Sequence, residues 1–142
     1  LHVLRGNPSK KKIRPELKFR KDGTIPAPPR FIGTGLAREE WLRIAPEVHR
    51  LGLLTAADLH PFAVYCIAFE RWVKAEEQVA DNFTIVTEKG NVIQNPVLGV
   101  ARRAALDMLR AAAEFGLTPA SRSRIAVNEE TANDEYDGLI AN

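Results

Sequence analysis

From Leu36 onward the apolar residues recur at helical spacing. Trp41, Ile44, Val48 and Leu51 stand three or four apart and define one face of a first helix. Pro46 removes a backbone donor from its interior, which predicts a kink or restart near Ala45. Gly52 ends the pattern. Thr55, with Asp58 three residues on, makes a variant of the capping box and predicts the start of a second helix. Leu59, Phe62, Cys66, Phe69 and Val73 form one stripe along it, and Tyr65, Trp72 and Val79 form another. This helix is apolar over more than half its circumference, more than a small helical body readily covers. Tyr65, Trp72 and Val79 are therefore expected at an interface with another copy of the chain.

The period then changes. "FTIVTEKGNVIQ", 83–94, places β-branched residues on both sides of Lys89–Gly90–Asn91, which predicts a short hairpin. Two strands alone are marginal, so the hairpin must lean on the helices or on a neighbour. A third helix follows, with Asn95 as N-cap and Pro96 at the first helical position. Leu98, Ala101, Ala105, Met108, Ala112 and Phe115 share its buried face, and Gly116 stops it. Thr118 and Pro119 repeat the start signal for a short fourth helix. The expected fold is mainly α: a core of about four helices over 36–127, with one short β-hairpin.

Charge divides the chain differently. The net charge of +2 hides an asymmetry between the ends. Residues 1–30 carry nine Lys and Arg against Glu16 and Asp22, and 1–35 hold five of the nine prolines. This reads as a flexible basic, Pro-rich arm over 1–35, laid on the surface or mobile. Residues 128–142 are acidic and polar, and read as a disordered tail except near Leu139 and Ile140. The sequence begins at Leu1 rather than Met, which suggests a missing short N-terminal piece. No apolar run approaches the roughly 20 residues that span a membrane, and no signal peptide is visible. The single cysteine, Cys66, excludes an internal disulfide and a multi-cysteine zinc site, so a reducing cytoplasmic setting is the plain reading.

Catalytic chemistry is not in evidence. "GNPSKKK" lacks the second glycine and the Gly-Lys-Ser/Thr ending of a phosphate loop. His2, His49 and His60 are scattered, so no metal site is expected. Cys66 falls on an apolar stripe and reads as a buried structural thiol. Glu39–Glu40 and Glu76–Glu77 read as solvated helix faces. No enzyme, no cofactor and no metal are expected. A DNA-reading helix-turn-helix also fits poorly, because the first turns of the second helix offer Ala56, Ala57, Asp58, Leu59 and Pro61, none of which reads a base edge.

The basic residues that remain are candidates for phosphate contact. In the arm these are Arg5, Lys10, Lys11, Lys12, Arg14, Lys18, Arg20 and Lys21, although a basic run is usually just solvated. Arg122 and Arg124 have no acidic neighbour before Glu129, so DNA contact and a solvated face weigh evenly. Arg103 and Arg110 are expected instead to pair with Asp107 and Glu114 at i,i+4 spacing.

Several stretches carry a family resemblance: "LRGNPSKK" at 4–11, "EEWLRIAPEVHRLGLLTAADL" at 39–59 and "YCIAFERWVKAE" at 65–76, then "KGNVIQNP" at 89–96 and "FGLTPASRSRI" at 115–125. In order and spacing, across roughly the first 125 residues, they resemble the small terminase subunits of tailed bacteriophages. The resemblance implies a non-enzymatic DNA-recognition component of a genome-packaging machine. Such a component assembles as a closed homo-oligomeric ring, binds double-stranded viral DNA near the packaging start site, and recruits or regulates the large subunit. It implies action in the cytoplasm of the infected host, outside the mature virion. The acidic tail would dock on the large subunit through Leu139 and Ile140. Two other classes stay open at this point: a small dimeric transcriptional regulator, and a structural head or connector ring without DNA affinity.

Overall fold

The computed structural model describes residues 23–125. A 3-10 turn (Arg30–Ile32) leads into α1 (Leu36–Arg50) and α2 (Leu59–Val79). Strands β1 (Thr84–Val86) and β2 (Val92–Gln94) pair antiparallel, with Ile85 opposite Ile93 and Val86 opposite Val92. Helix α3 (Val97–Glu114) follows, and a helical segment, 119–125, runs to the last described residue. The fold is mainly α with one short hairpin, as the apolar spacing predicts. The arm below residue 23 and the tail beyond 125 lie outside the described residues.

Phe62, near the start of α2, sits where the three helices meet. It is fully buried and packs edge-on against Trp41 of α1, with ring centroids 4.7 Å apart, and against Phe115 at the end of α3, at 5.2 Å. Tyr65 stacks on it at 5.7 Å. Because the start of α2 meets the end of α3, these two helices run antiparallel. Ala63, Ala68 and Ala75 on α2 and Ala101, Ala104 and Ala112 on α3 are all buried, and such small side chains let packed helices approach closely.

Two helix ends close in the same way. After α1 the Leu53 amide donates to the Val48 carbonyl (3.0 Å) and the Gly52 amide to His49 (2.9 Å). After α3 the Leu117 amide donates to Ala112 (2.9 Å) and Gly116 to Ala113 (3.5 Å). Both are Schellman motifs, and both need φ near +70°, which glycine adopts without a Cβ clash: Gly52 has φ 75° and Gly116 φ 66°. At the start of α1 the cap comes from another helix. The Glu70 carboxylate of α2 accepts from the Ala37 amide at 3.1 Å, opposite the positive end of the helix dipole. The same carboxylate accepts from Lys74, which, with the Ala37 bond, holds it below the usual carboxylate range.

Four expectations need correction. Helix α1 runs through Pro46 without a restart, because Pro46 and Leu42, whose carbonyl loses its partner, both lie on the exposed face where solvent takes the lost bond. Thr55 does not open α2. Its amide and hydroxyl donate to Asp58 Oδ2 at 2.8 and 2.6 Å, closing a separate turn, and the helix begins at Leu59 with Asp58 as N-cap. Glu40 is not on a solvated face: it is 3% exposed. Its carboxylate accepts two bonds from the Arg43 guanidinium at 2.8 Å and one from the Tyr65 hydroxyl at 2.5 Å, which compensates a charge that burial alone would penalise. Arg103 and Arg110 form no ion pair among the described residues, where the pairs are Arg43–Glu40, Arg50–Glu47 and Lys74–Glu70.

The described part of the expected arm is tied to the body. The buried indole N–H of Trp41 donates to the Pro26 carbonyl at 3.0 Å, Ile32 is buried, and Phe31 stacks on His60.

The Glu40–Tyr65 bond yields a test with a defined sign. Burial, reinforced by the bond to Glu40, raises the Tyr65 phenol above its ordinary value of 10.0, so the folded state favours the neutral hydroxyl. That contribution is complete below about pH 10 and is lost as pH rises above it. Tyr65→Phe should lower stability at neutral pH by about 1.5–3 kcal/mol, the scale of a hydrogen bond to a charged group. It should also flatten the alkaline fall in urea midpoint. An unchanged alkaline slope in the variant would show that Tyr65 is not its source.

Candidate functional site

The element that carries Arg122 and Arg124 is built on Gly116. Thr118 and Ser121 cap it reciprocally: the Ser121 amide donates to the Thr118 hydroxyl and the Thr118 amide to the Ser121 hydroxyl, both at 3.2 Å. Ser121 is buried, while Arg122 and Arg124 are exposed on the segment that follows. Arg122 turns back over the end of α3, where its guanidinium reaches the Gly116 carbonyl at 3.4 Å. A Cβ on Gly116 would sit 3.1 Å from Ile125 and 3.3 Å from Leu53. The segment is therefore pressed against the turn that links α1 to α2. Both arginines lie outside the ion pairs found among the described residues.

On α3, Arg102, Arg103 and Arg110 are also exposed. The other DNA-binding candidates, Arg5, Lys10, Lys11, Lys12, Arg14, Lys18, Arg20 and Lys21, fall outside the described residues, as do Leu139 and Ile140.

The residues expected at an oligomer interface separate. Tyr65 and Val79 are buried within the chain itself, at 7% and 1% exposure, so neither needs a neighbour to leave water. Trp72 is half-buried, and its indole donates to Glu76 at 3.1 Å. The apolar surface that is left over lies elsewhere. Phe83, Ile85, Val86, Val92 and Ile93 are all exposed on or beside the hairpin. A shallow groove of about 390 Å³ runs between α2 and α3, with Val64, Ile67, Ala68 and Ala111 along it and Arg71, Arg110 and Asp107 at its rim. A legible signal existed for the hairpin: both strands carry apolar residues on both faces, whereas a strand with one wet face alternates.

The remaining chemistry is structural. Cys66 is fully buried, and burial, helped by the nearby Glu40 charge, pushes its thiol up to about 12, far from a reactive thiolate. The His49 ring bonds the Leu54 carbonyl at 3.0 Å beside a small cavity of about 210 Å³ under Thr24, Pro26 and Ala27. Among the described residues, no group of three or more His, Cys, Asp or Glu could hold a metal ion.

Compared with known proteins, residues 37–132 match a family model described as the small subunit of phage terminase. The chain belongs to the phage terminase small-subunit family. Membership gives it a role in phage DNA packaging. The match takes in all three helices, the hairpin and the segment bearing Arg122 and Arg124, and leaves the basic residues of the arm and Leu139–Ile140 outside it. Comparisons with curated proteins and with solved structures return no match. No helix among the described residues of this small subunit is long and apolar enough to cross a membrane.

The packing at Gly116 makes the 119–125 segment testable. Gly116→Ala adds a Cβ at φ 66° in tight contact with Ile125 and Leu53, at a cost of about 1–2 kcal/mol. The expected outcome is a lower melting temperature and faster tryptic cleavage after Arg122 and Arg124. Unchanged cleavage would mean the segment is not held by this contact.

Proposed function

We propose that the chain recognises viral DNA near the packaging start site, assembles as a closed homo-oligomeric ring, and recruits or regulates the large terminase subunit. The observation that carries this reading is the family match over residues 37–132. The subunit itself is non-catalytic and acts in the cytoplasm of the infected host without becoming a stable part of the virion. The ATPase and nuclease belong to the large subunit.

DNA contact is assigned to cationic side chains. Arg122 and Arg124 are exposed on a braced segment, and the arm adds Arg5, Lys10, Lys11, Lys12, Arg14, Lys18, Arg20 and Lys21. A single set of such cations binds phosphates weakly. A ring repeats the set around a common axis, so the second and later contacts form at high effective concentration. If Z phosphates are neutralised, log affinity falls with log salt at a slope of about −0.9Z. Deletion of residues 1–22, which leaves the Pro26–Trp41 bond in place, should weaken binding and flatten that slope, and Arg122→Ala/Arg124→Ala should do the same from the body. Whichever variant leaves affinity and slope untouched is removed from the DNA site. A DNA titration over a salt series, with native mass spectrometry on the same samples, also separates a ring from a regulator dimer and from a ring without DNA affinity.

The acidic tail is assigned to the large subunit. It carries Glu129, Glu130, Asp134, Glu135 and Asp137, and ends near Leu139 and Ile140, an apolar pair within an acidic stretch. Truncation after Val127 should abolish stimulation of the motor's ATPase while leaving DNA affinity in place. Full stimulation by the truncated chain would sink this assignment.

A further inference from the structure

Among the described residues, nothing covers the hairpin. Residues opposite one another in an antiparallel pair share a face, so Ile85 and Ile93 lie on one side and Val86 and Val92 on the other. Val86 and Val92 are 69% and 68% exposed, and Ile85 and Ile93 remain open as well. A hairpin with one wet face would alternate apolar and polar residues; this one carries an apolar pair on each face. Its tie to the described body is at the base, where the Asn95 amide donates to the Phe83 carbonyl (2.9 Å) and the Asn95 side chain to the Asn82 carbonyl (2.8 Å). Two-stranded hairpins of this size are marginal in water. The same chain also presents the open groove between α2 and α3, in which Val64 is 55% exposed.

We propose that the hairpin of one copy docks into the α2/α3 groove of the next copy. The inference rests on the self-assembly proposed above and names the surfaces that carry it. Charge complementarity supports it. The hairpin turn bears Glu88 and Lys89, and the groove bears Arg71 and Arg110 beside Asp107. Glu88 then faces the two arginines and Lys89 faces Asp107, while Val86 and Val92 cover Val64. The occupant is a second copy because each chain carries one projecting and one receiving surface. A head-to-tail contact uses both on every copy, and a closed ring leaves neither unpaired. A different partner on either surface would leave the other bare on every copy.

The test uses the full chain and a native mass measurement. Glu88→Arg, and separately Arg71→Glu/Arg110→Glu, should each weaken assembly by roughly tenfold or more, as opposed charges at an interface do when one is reversed. The three substitutions together should restore it. Val86→Cys with Val64→Cys should give a covalent ladder of dimers, trimers and larger species under mild oxidation; the only native cysteine among the described residues, Cys66, is buried and leaves little background. The far-UV helix signal guards against an unfolded variant, since the helices carry most of the structure. Rings that persist in Glu88→Arg, a triple variant that fails to recover, or a cross-link confined to monomers would overturn the docking while leaving ring assembly intact. A monomeric unsubstituted chain would overturn both.

Discussion

The burial of Phe62 is the constraint on which the rest of the structure depends. Its ring touches one aromatic residue from each of the other two main helices, Trp41 of α1 and Phe115 of α3. Edge-on pairs of this kind are worth about 0.5–1.5 kcal/mol each beyond the area they bury. Their greater effect is on geometry. Trp41 and Phe115 can meet the same ring only if α1 and the end of α3 converge on the first turns of α2. That convergence brings Gly116 against Leu53 and sets the place of the segment that carries Arg122 and Arg124.

Polar groups inside this frame serve the same register. Glu40 lies between Arg43, one turn along its own helix, and Tyr65 on the next helix. Any slip of α1 along α2 would strand a buried carboxylate. Glu70 acts in the opposite direction, reaching from α2 to cap the start of α1. Two carboxylate contacts, one turn apart near the start of α1, thus make the pairing of α1 and α2 specific in a way that leucine and alanine packing does not. Cys66 beside them is a filler of the same core and not a reagent.

The exposed surface carries two chemistries. Cations are exposed on the 119–125 segment and along α3, while exposed apolar residues lie on the hairpin, at Val64 beside the α2/α3 groove, and also on α3 at Val100, Leu106 and Leu109. Under the proposed function, the first kind would hold phosphates and the second would hold copies together.

Most helices were legible because their signals are local. Periodic apolar residues, Gly52, Gly116, Asn95 and the Thr118–Pro119 start each act within a few residues, so order along the chain determines them. The hairpin was equally local, and so was its awkwardness, since apolar residues on both faces can be counted from "FTIV" and "NVI". The basic and acidic ends and the family resemblance were also written in the chain. Tertiary structure alone decided which apolar and charged residues face inward. Tyr65 and Val79 have the same apolar character as an interface residue, and only the approach of the other helices buries them within one chain. Glu40 resembles any acid on a helix, and becomes an interior group because Arg43 and Tyr65 arrive to satisfy it. Arg103 and Arg110 have acids at the right spacing, yet spacing permits an ion pair without compelling one. Burial and pairing are properties of residues far apart in sequence, and only folding brings them together.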